Sequence, residues 1–302
     1  MPPRIPTLSK SRFTYGLQCH RRLWWQAHEP RAPELAPDAM LEAIFRQGNH
    51  VGRLAREHIP GGVLIAFDGR AKQRAVKETE AAIAGGASII YEASVIHDGV
   101  FGAIDALSRE GSSAWTLTEV KSTTKVKEQH IADVAVQTWI ARGAGLKIER
   151  MELMHLNRAC RYPDLSNLFA RSDITHEVEA YLAEVGPEIE AQKKVLAGPI
   201  PEVPPGPHCT APYDCPFLGR CTTPLPRGHV SELYRIRSSR TAALQDDGVE
   251  LISEIPPEDV EHNAMWMRQQ RAAESGEVVV EPALASAVPS MDGTVGRSEE
   301  RR

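Results

Sequence analysis

The sequence predicts an α/β (α+β) fold: a mixed central sheet flanked by helices, with a cysteine-bearing segment and a helical tail after it. Helical and strand periodicities alternate between residues 38 and 156, three strand-like runs follow closely between residues 88 and 121, and Gly, Pro and Ser punctuate the junctions. At 302 residues, 42% hydrophobic and 25% charged, the chain has material for a substantial core.

Each element has its own warrant. Leu8-Ser9-Lys10-Ser11-Arg12-Phe13 offers helix-start serines, and the run after it ends in His20-Arg21-Arg22-Leu23-Trp24-Trp25. That cluster reads either as a short helix docking its tryptophans on the core or as a grip for a single nucleic-acid strand. Glu29 to Pro37 is a connection. From Asp38 to about His58, Leu41, Ile44, Phe45, Val51, Leu54 and Ala55 recur near helical spacing and predict one long amphipathic helix. Pro60-Gly61-Gly62 stops it; Val63 to Phe67 reads as a strand, and Ala71 to Ala84 as a helix closed by Gly85-Gly86. The meander comprises Ser88–Ile96, Val100–Leu107 and Trp115–Lys121. A helix over Gln129–Arg142, a strand over Lys147–Leu156 and a Glu-rich helix from Ile174 to about Leu196 complete the core.

Pro201 to Pro207 leads into the cysteine segment, and Ser231 to Pro257 reads as two short helices around a Gly turn, either a plain hairpin or a helix-hairpin-helix element. From Ala272 the composition predicts a disordered tail. The expected domains are therefore residues 1–230, a helical hairpin over 231–271 and a tail over 272–302.

Composition narrows the function classes. Lys plus Arg number 35 against 40 Asp plus Glu, a net charge of −5, so the whole-chain field does not announce a nucleic-acid binder and any basic groove must be local. No run approaches the roughly 18 apolar residues of a membrane span, and the N-terminal residues lack a leader's apolar core, which predicts a cytoplasmic protein with no membrane partner. The five cysteines are an odd, sparse set unlike a disulfide framework.

The chemistry-bearing residues lie in the meander. Alternation puts Trp115, Leu117, Glu119 and Lys121 on one face of their strand. A hairpin turning at Glu110-Gly111-Ser112-Ser113 and centred on residue 112 places Asp105 opposite Glu119. Facing carboxylates repel unless a cation or a proton lies between them. The bland alternative is an exposed sheet edge, which tolerates such residues freely. On the next helix, Asp133 and Gln137 stand four apart on one face.

Asp105, Glu119-Val120-Lys121 and then Gln137 resemble the PD-(D/E)XK nuclease superfamily, and specifically its RecB-like branch. Cys209, Cys215 and Cys221, six apart, with Cys19 nearly two hundred residues earlier, are similar to the four-cysteine iron-sulfur clamp of CRISPR-associated RecB-like exonucleases and the AddB nuclease. The resemblance covers residues 9 to about 225. It implies a restriction-endonuclease-like core and a 4Fe-4S cluster tying the domain's ends together; a structural zinc accepts the same four thiolates. Cys160 reads as an ordinary thiol. The pattern departs from the family at Gly52, where a Gly-x-x-x-His motif has its histidine and His50 stands two residues early, and at Ala141, where Gln-x-x-x-Tyr has its tyrosine. A second, exonuclease-like domain often follows in the resembled family, so this chain reads as a truncated or single-domain form.

The implied activity is metal-dependent hydrolysis of DNA, single-stranded or at duplex ends. Asp105, Glu119 and the Val120 carbonyl hold Mg²⁺ or Mn²⁺, Lys121 orients water or neutralises phosphate charge, and Gln137 positions the ligands. The alternative is a catalytically silent nucleic-acid-binding module with a structural metal. A restriction-type endonuclease is a third reading with no base-reading residues to support it, and no helicase or nuclease partner is identified.

Overall fold

In the computed structural model, which describes residues 5–66, 71–109, 111, 113–222 and 225–280, the predicted meander forms the middle of a six-stranded mixed sheet. The strands are β1 Val63–Leu64, β2 Ile89–His97, β3 Val100–Ser108, β4 Trp115–Lys121, β5 Ile148–Leu156 and β6 Phe169–Asp173, side by side in that order. β1/β2 and β4/β5 pair in parallel and the other neighbours antiparallel. The mixed α/β fold is thus the one expected. β6 is an added strand: Phe169-Ala-Arg-Ser-Asp173 is short and half exposed, so it carries little apolar signal. β1 ends at Leu64, and Phe67, the expected end of that strand, lies outside the described residues.

The helices are α1 Lys10–Gln18, α2 His20–His28, α3 Ala39–His58, α4 Lys72–Ala84, α5 Glu128–Gly143, α6 Thr175–Ala197 and the short α7 Leu218–Cys221. α5 crosses from β4 to β5 and is buried nearly all round, with Val134, Val136, Gln137, Thr138, Ile140 and Ala141 inaccessible between the sheet, α1 and α6. The core therefore lies on the α5 face, where Leu117, Met151 and Leu153 of the sheet meet Val178, Val185 and Ile189 of α6.

α3 behaves differently from its pattern. Asp38 caps it by accepting from Leu41 N at 2.7 Å, a cap that stabilises by about 1 kcal/mol. Only Val51 and Ala55 are buried, however, and Leu41, Ile44 and Phe45 are exposed, so the first three turns stand clear of the core.

α1 is fixed at both ends. Ser9 caps it, and Phe101 N donates to Leu8 O, which seats the segment before the helix on the start of β3. Midway, Gly16 lies against the buried Gln192 of α6, whose side chain a Cβ there would meet at 2.3 Å.

Residues Met1–Thr222 make one compact unit and Thr223–Arg302 a second. The second has its own core of Val230, Leu233, Leu244, Ile252, Ile255, Val260 and Trp266. There α8 Ser238–Asp246 ends at Gly248, whose φ of 78° suits glycine, and α9 Pro257–Val260 precedes α10 Ala264–Ser275, capped by Asn263. α10 runs into the stretch read as tail; residues 281–302 lie outside the described residues. Among the described residues no helix is long and apolar enough to cross a membrane.

Candidate active site and cysteine corner

β3 and β4 meet in the register that the turn arithmetic gives: Ala106 faces Thr118, Leu107 faces Leu117 and Ser108 faces Thr116. Glu110 and Ser112 of that turn lie outside the described residues. One step beyond Ala106 the backbone ladder stops, and Val120 N donates instead to Asp105 Oδ2 at 2.7 Å. The strands part where the two carboxylates face each other, and Asp105, Ala106 and Glu119 to Ser122 line a cavity of about 590 Å³.

Of the sequence-predicted residues, Asp105, Glu119, Val120 and Lys121 line that cavity, and Gln137 lies behind it on Glu119. Glu119 is 2% exposed; its Oε1 takes Lys121 Nζ at 2.7 Å and its Oε2 takes Gln137 Nε2 at 2.8 Å. Gln137 is fully buried and also donates to Asp133 O, which fixes its amide, while its Oε1 has no partner among the described residues. Lys121 reaches Asp133 Oδ2 at 2.5 Å.

Two further residues join them that the sequence did not single out. Lys10, the first residue of α1, puts Nζ 2.5 Å from Glu119 Oε1. Glu92 of β2 stands opposite Asp105 at a gap in the β2/β3 ladder, which keeps the same register on either side, and has a left-handed φ of 55° that ordinary residues adopt only under constraint. It lines the cavity and pairs with Arg56 at 3.4 Å. A charged residue within Ile89-Ile-Tyr-Glu-Ala-Ser-Val-Ile is its signal in the sequence. For Lys10, 109 residues from its partner, the sequence holds no signal.

The charges are strongly interdependent. Burial, and after it the Glu119 carboxylate, raise the Asp105 carboxyl to about 7. Burial alone would raise Glu119 as well, but Lys10 and Lys121 hold it well below the usual range. Burial would lower both lysines; Glu119 and Asp133 reverse that and keep both protonated. Glu92 is raised by burial, with Arg56 opposing. The result is an acidic, oxygen-rich site whose Asp105 forms no ion pair among the described residues, although the Lys10 charge partly opposes its shift. The hard donors of Asp105, Glu119 and the Val120 carbonyl fit Mg²⁺ or Mn²⁺ by type.

α3 forms the opposite wall through Gly48, Val51, Gly52, Ala55 and Arg56. His50 is exposed, bonded to Arg53 at 3.0 Å, and does not line the cavity. Gly52 does, and a Cβ there would meet nothing within 4 Å. Ala141, in the other departing position, is buried in the core.

The cysteines gather at the far end of α1. Gln18 Nε2 donates to His208 O at 2.7 Å and Tyr213 O at 2.6 Å, binding the end of the helix to the cysteine segment. Cys19 joins α1 to α2; Cys209 is buried and its carbonyl accepts from Cys215 N; Cys215 and Cys221 pack on the Trp25, Ala32 and Phe217 cluster. Burial raises the Cys215 thiol, and the neighbouring Cys19 and Cys209 sulfurs add to the shift. Arg22, 8% exposed, lies beside Cys215 and Cys19, and Arg21 donates to Cys221 Sγ at 3.9 Å. The buried Nε atoms of both arginines have no hydrogen-bond partner among the described residues. Two guanidiniums facing thiols fit a set that carries negative charge when loaded. Cys160 lies apart, on the β5–β6 loop, where its Sγ contacts Asp164 O. Among the described residues, no three His, Cys, Asp or Glu side chains stand close enough to enclose a metal ion as placed.

The reading of His20 to Trp25 as a strand grip is corrected. Leu23 is fully buried, Trp25 is 6% exposed, and Trp24 stacks on His28 while its Nε1 donates to Gly198 O. The run faces the core and the cysteines, so its docking reading is the one that holds.

No family model and no curated protein matches the chain. Among solved structures it is similar to SSO0001, at 12% identity over 74% of this chain and 90% of that one, with a TM-score of 0.36. It is also similar to an alkaline exonuclease from Laribacter hongkongensis, at 16% identity over 64% of this chain and 95% of that one, with a TM-score of 0.32.

Proposed function

We propose that the protein is a divalent-metal-dependent DNA nuclease of the RecB-like PD-(D/E)XK type. The observation that carries this reading is the meeting of Asp105, Glu119 and Lys121 at one cavity, with Asp105 bonded to the backbone of the strand that bears the other two. A cation held by Asp105, Glu119 and the Val120 carbonyl would supply Lewis-acid chemistry and acidify a bound water. Gln137 fixes the orientation of Glu119 through Oε2, leaving Oε1 toward the lysines. Lys121, kept protonated by Glu119 and Asp133, offers its ammonium to charge developing on the phosphoryl group. Strand-bound phosphate enters between α3 and β4, where Gly48 and Gly52 leave the helix surface low.

The thiols of Cys19, Cys209, Cys215 and Cys221 would hold a 4Fe-4S cluster, with Arg21 and Arg22 balancing its charge; zinc is the competing occupant.

The decisive test is Glu119→Ala. Degradation of labelled single- and double-stranded DNA with Mn²⁺ should vanish while the circular dichroism spectrum stays unchanged, and undiminished cleavage would sink the assignment. One observation favours a second reading, a silent nucleic-acid-binding module: Lys10 and Lys121 both occupy Glu119 Oε1, an atom a cation would need. Binding without cleavage by the wild-type chain would select it.

A further inference from the structure

Three segments meet where the active strand leaves the sheet. β4 and β5 are parallel, with Lys121 beside His155, so the β4–α5 loop and the β5–β6 loop emerge at the same end. Leu156 N donates to Thr123 O at 2.8 Å, which ties the two loops together. On the other side His58, the last residue of α3, contacts Leu165 O at 3.1 Å and sets its ring edge-on to Phe169 at 5.0 Å. Residues 157–168 are thus held between the C-terminal end of α3 and the β4–α5 loop, next to the elements that wall the acidic cavity.

What this loop presents is unlike the rest of an acidic chain. Tyr162 is 88% exposed, the most open large ring of the described core unit. Arg158 and Arg161 flank it, both exposed, and among the described residues neither forms an ion pair with a carboxylate. The Arg161 guanidinium donates to the Arg158 and Cys160 carbonyls, which shape the loop and do not neutralise its charge, while the Arg161 backbone bridges to Asp164. Lys125 and Lys127 on the adjoining loop are also exposed. An exposed ring between cations without carboxylate partners among the described residues, near the acidic cavity, matches the needs of an unpaired nucleic-acid strand: charge for the backbone and a flat face for one base.

We infer that the 157–168 loop is the strand-binding surface of the protein, stacking a base of single-stranded nucleic acid on Tyr162 while Arg158, Arg161, Lys125 and Lys127 follow its phosphates. The inference rests on the nuclease reading. A blunt duplex keeps its bases stacked internally and offers Tyr162 nothing, so the surface discriminates between strands and duplexes.

The test is fluorescence anisotropy with labelled twelve-nucleotide oligothymidine and a blunt duplex of equal length, on the full chain carrying Glu119→Gln so that the probe survives. Tyr162→Ala should weaken oligothymidine binding about tenfold, the effect of losing one stacked base, and Tyr162→Phe should restore it. Arg158→Gln with Arg161→Gln should flatten the salt dependence by roughly 0.7 in log–log slope for each phosphate that is no longer neutralised. Equal affinities for the parent and Tyr162→Ala, or a Phe variant as weak as Ala, would overturn the surface even if the wild-type chain cleaves DNA. A wild-type chain that neither binds nor cleaves any DNA would instead bring down the nuclease reading, and the surface with it.

Discussion

Replacing Lys10 by Met removes the ammonium 2.5 Å from Glu119 Oε1 and keeps most of the side chain's apolar bulk. Glu119 is then a buried carboxylate with one cation, Lys121 at 2.7 Å, and one amide, Gln137 at 2.8 Å. Stripping the last partner from a buried ion pair costs about 3–5 kcal/mol. Because Glu119 keeps two partners, the smaller figure for one charge-assisted hydrogen bond applies, about 2 kcal/mol. For a unit of this size that lowers Tm by roughly 4–8 °C. Thermal unfolding with chelator should show the drop, and Lys10→Met on a Glu119→Gln background should show much less of it, since the charge that Lys10 serves has gone. Saturating Mn²⁺ should narrow the gap, because a cation on Glu119 supplies what the lysine supplied. An unchanged Tm in chelator, or equal losses in both backgrounds, would refute the claim that Lys10 balances Glu119.

Other outcomes follow from the same geometry. Asp105, raised to about 7 by burial and Glu119, binds its proton more tightly folded than unfolded, so its contribution to stability declines from about pH 4 to pH 7. Mn²⁺ needs the deprotonated carboxylate, so the metal's thermal stabilisation should grow over that window, which melting curves with and without Mn²⁺ at about pH 5.5 and about pH 8 will measure. Gly52→His adds an imidazole where the cavity wall is open, and calorimetry should show tighter Mn²⁺ binding than in the wild-type chain. Protein purified without oxygen should be brown with broad absorbance near ~400 nm if Cys19, Cys209, Cys215 and Cys221 hold iron-sulfur, and colourless with one zinc per chain if they do not.

The legibility of these features tracks how local their causes are. The β3/β4 register follows from counting residues across one short turn, and it came out as the ladder from Ala106/Thr118 to Ser108/Thr116. Helix limits were legible for a similar reason: Asp38 and Ser9 are caps whose bonding partners lie within three residues. Lys10 was illegible because its partner lies 109 residues away, across a contact only the tertiary fold creates. The apolar residues Leu41, Ile44 and Phe45 had the right period but no surface opposite them, since periodicity says which residues share a face and not whether anything covers it. His20 to Trp25 left a docking helix and a strand grip both open, because base-stacking surfaces and buried aromatic helices share a composition and only burial separates them.

α1 joins the two centres of the first unit, with Lys10 on Glu119 at one end and Gln18 and Cys19 in the cysteine corner at the other. Nine helical residues span about 14 Å, short enough to move as one rod. Its rotation and depth are set midway, where Gly16 lets the helix lie on Gln192, itself bonded to Phe13 O and Glu188. Gly16→Ala puts a methyl into the Gln192 amide, so either that amide gives up its bonds or α1 lifts from α6, at about 1–3 kcal/mol. If α1 lifts as a rod, Lys10 withdraws from Glu119, and the coupling energy between those two residues, measured by a double-mutant cycle on the Gly16→Ala background, should fall toward zero. A coupling that survives while Tm drops would mean that Gln192 yields instead. In that case the segment fastened to Phe101, and not the cysteine corner, holds Lys10 in place.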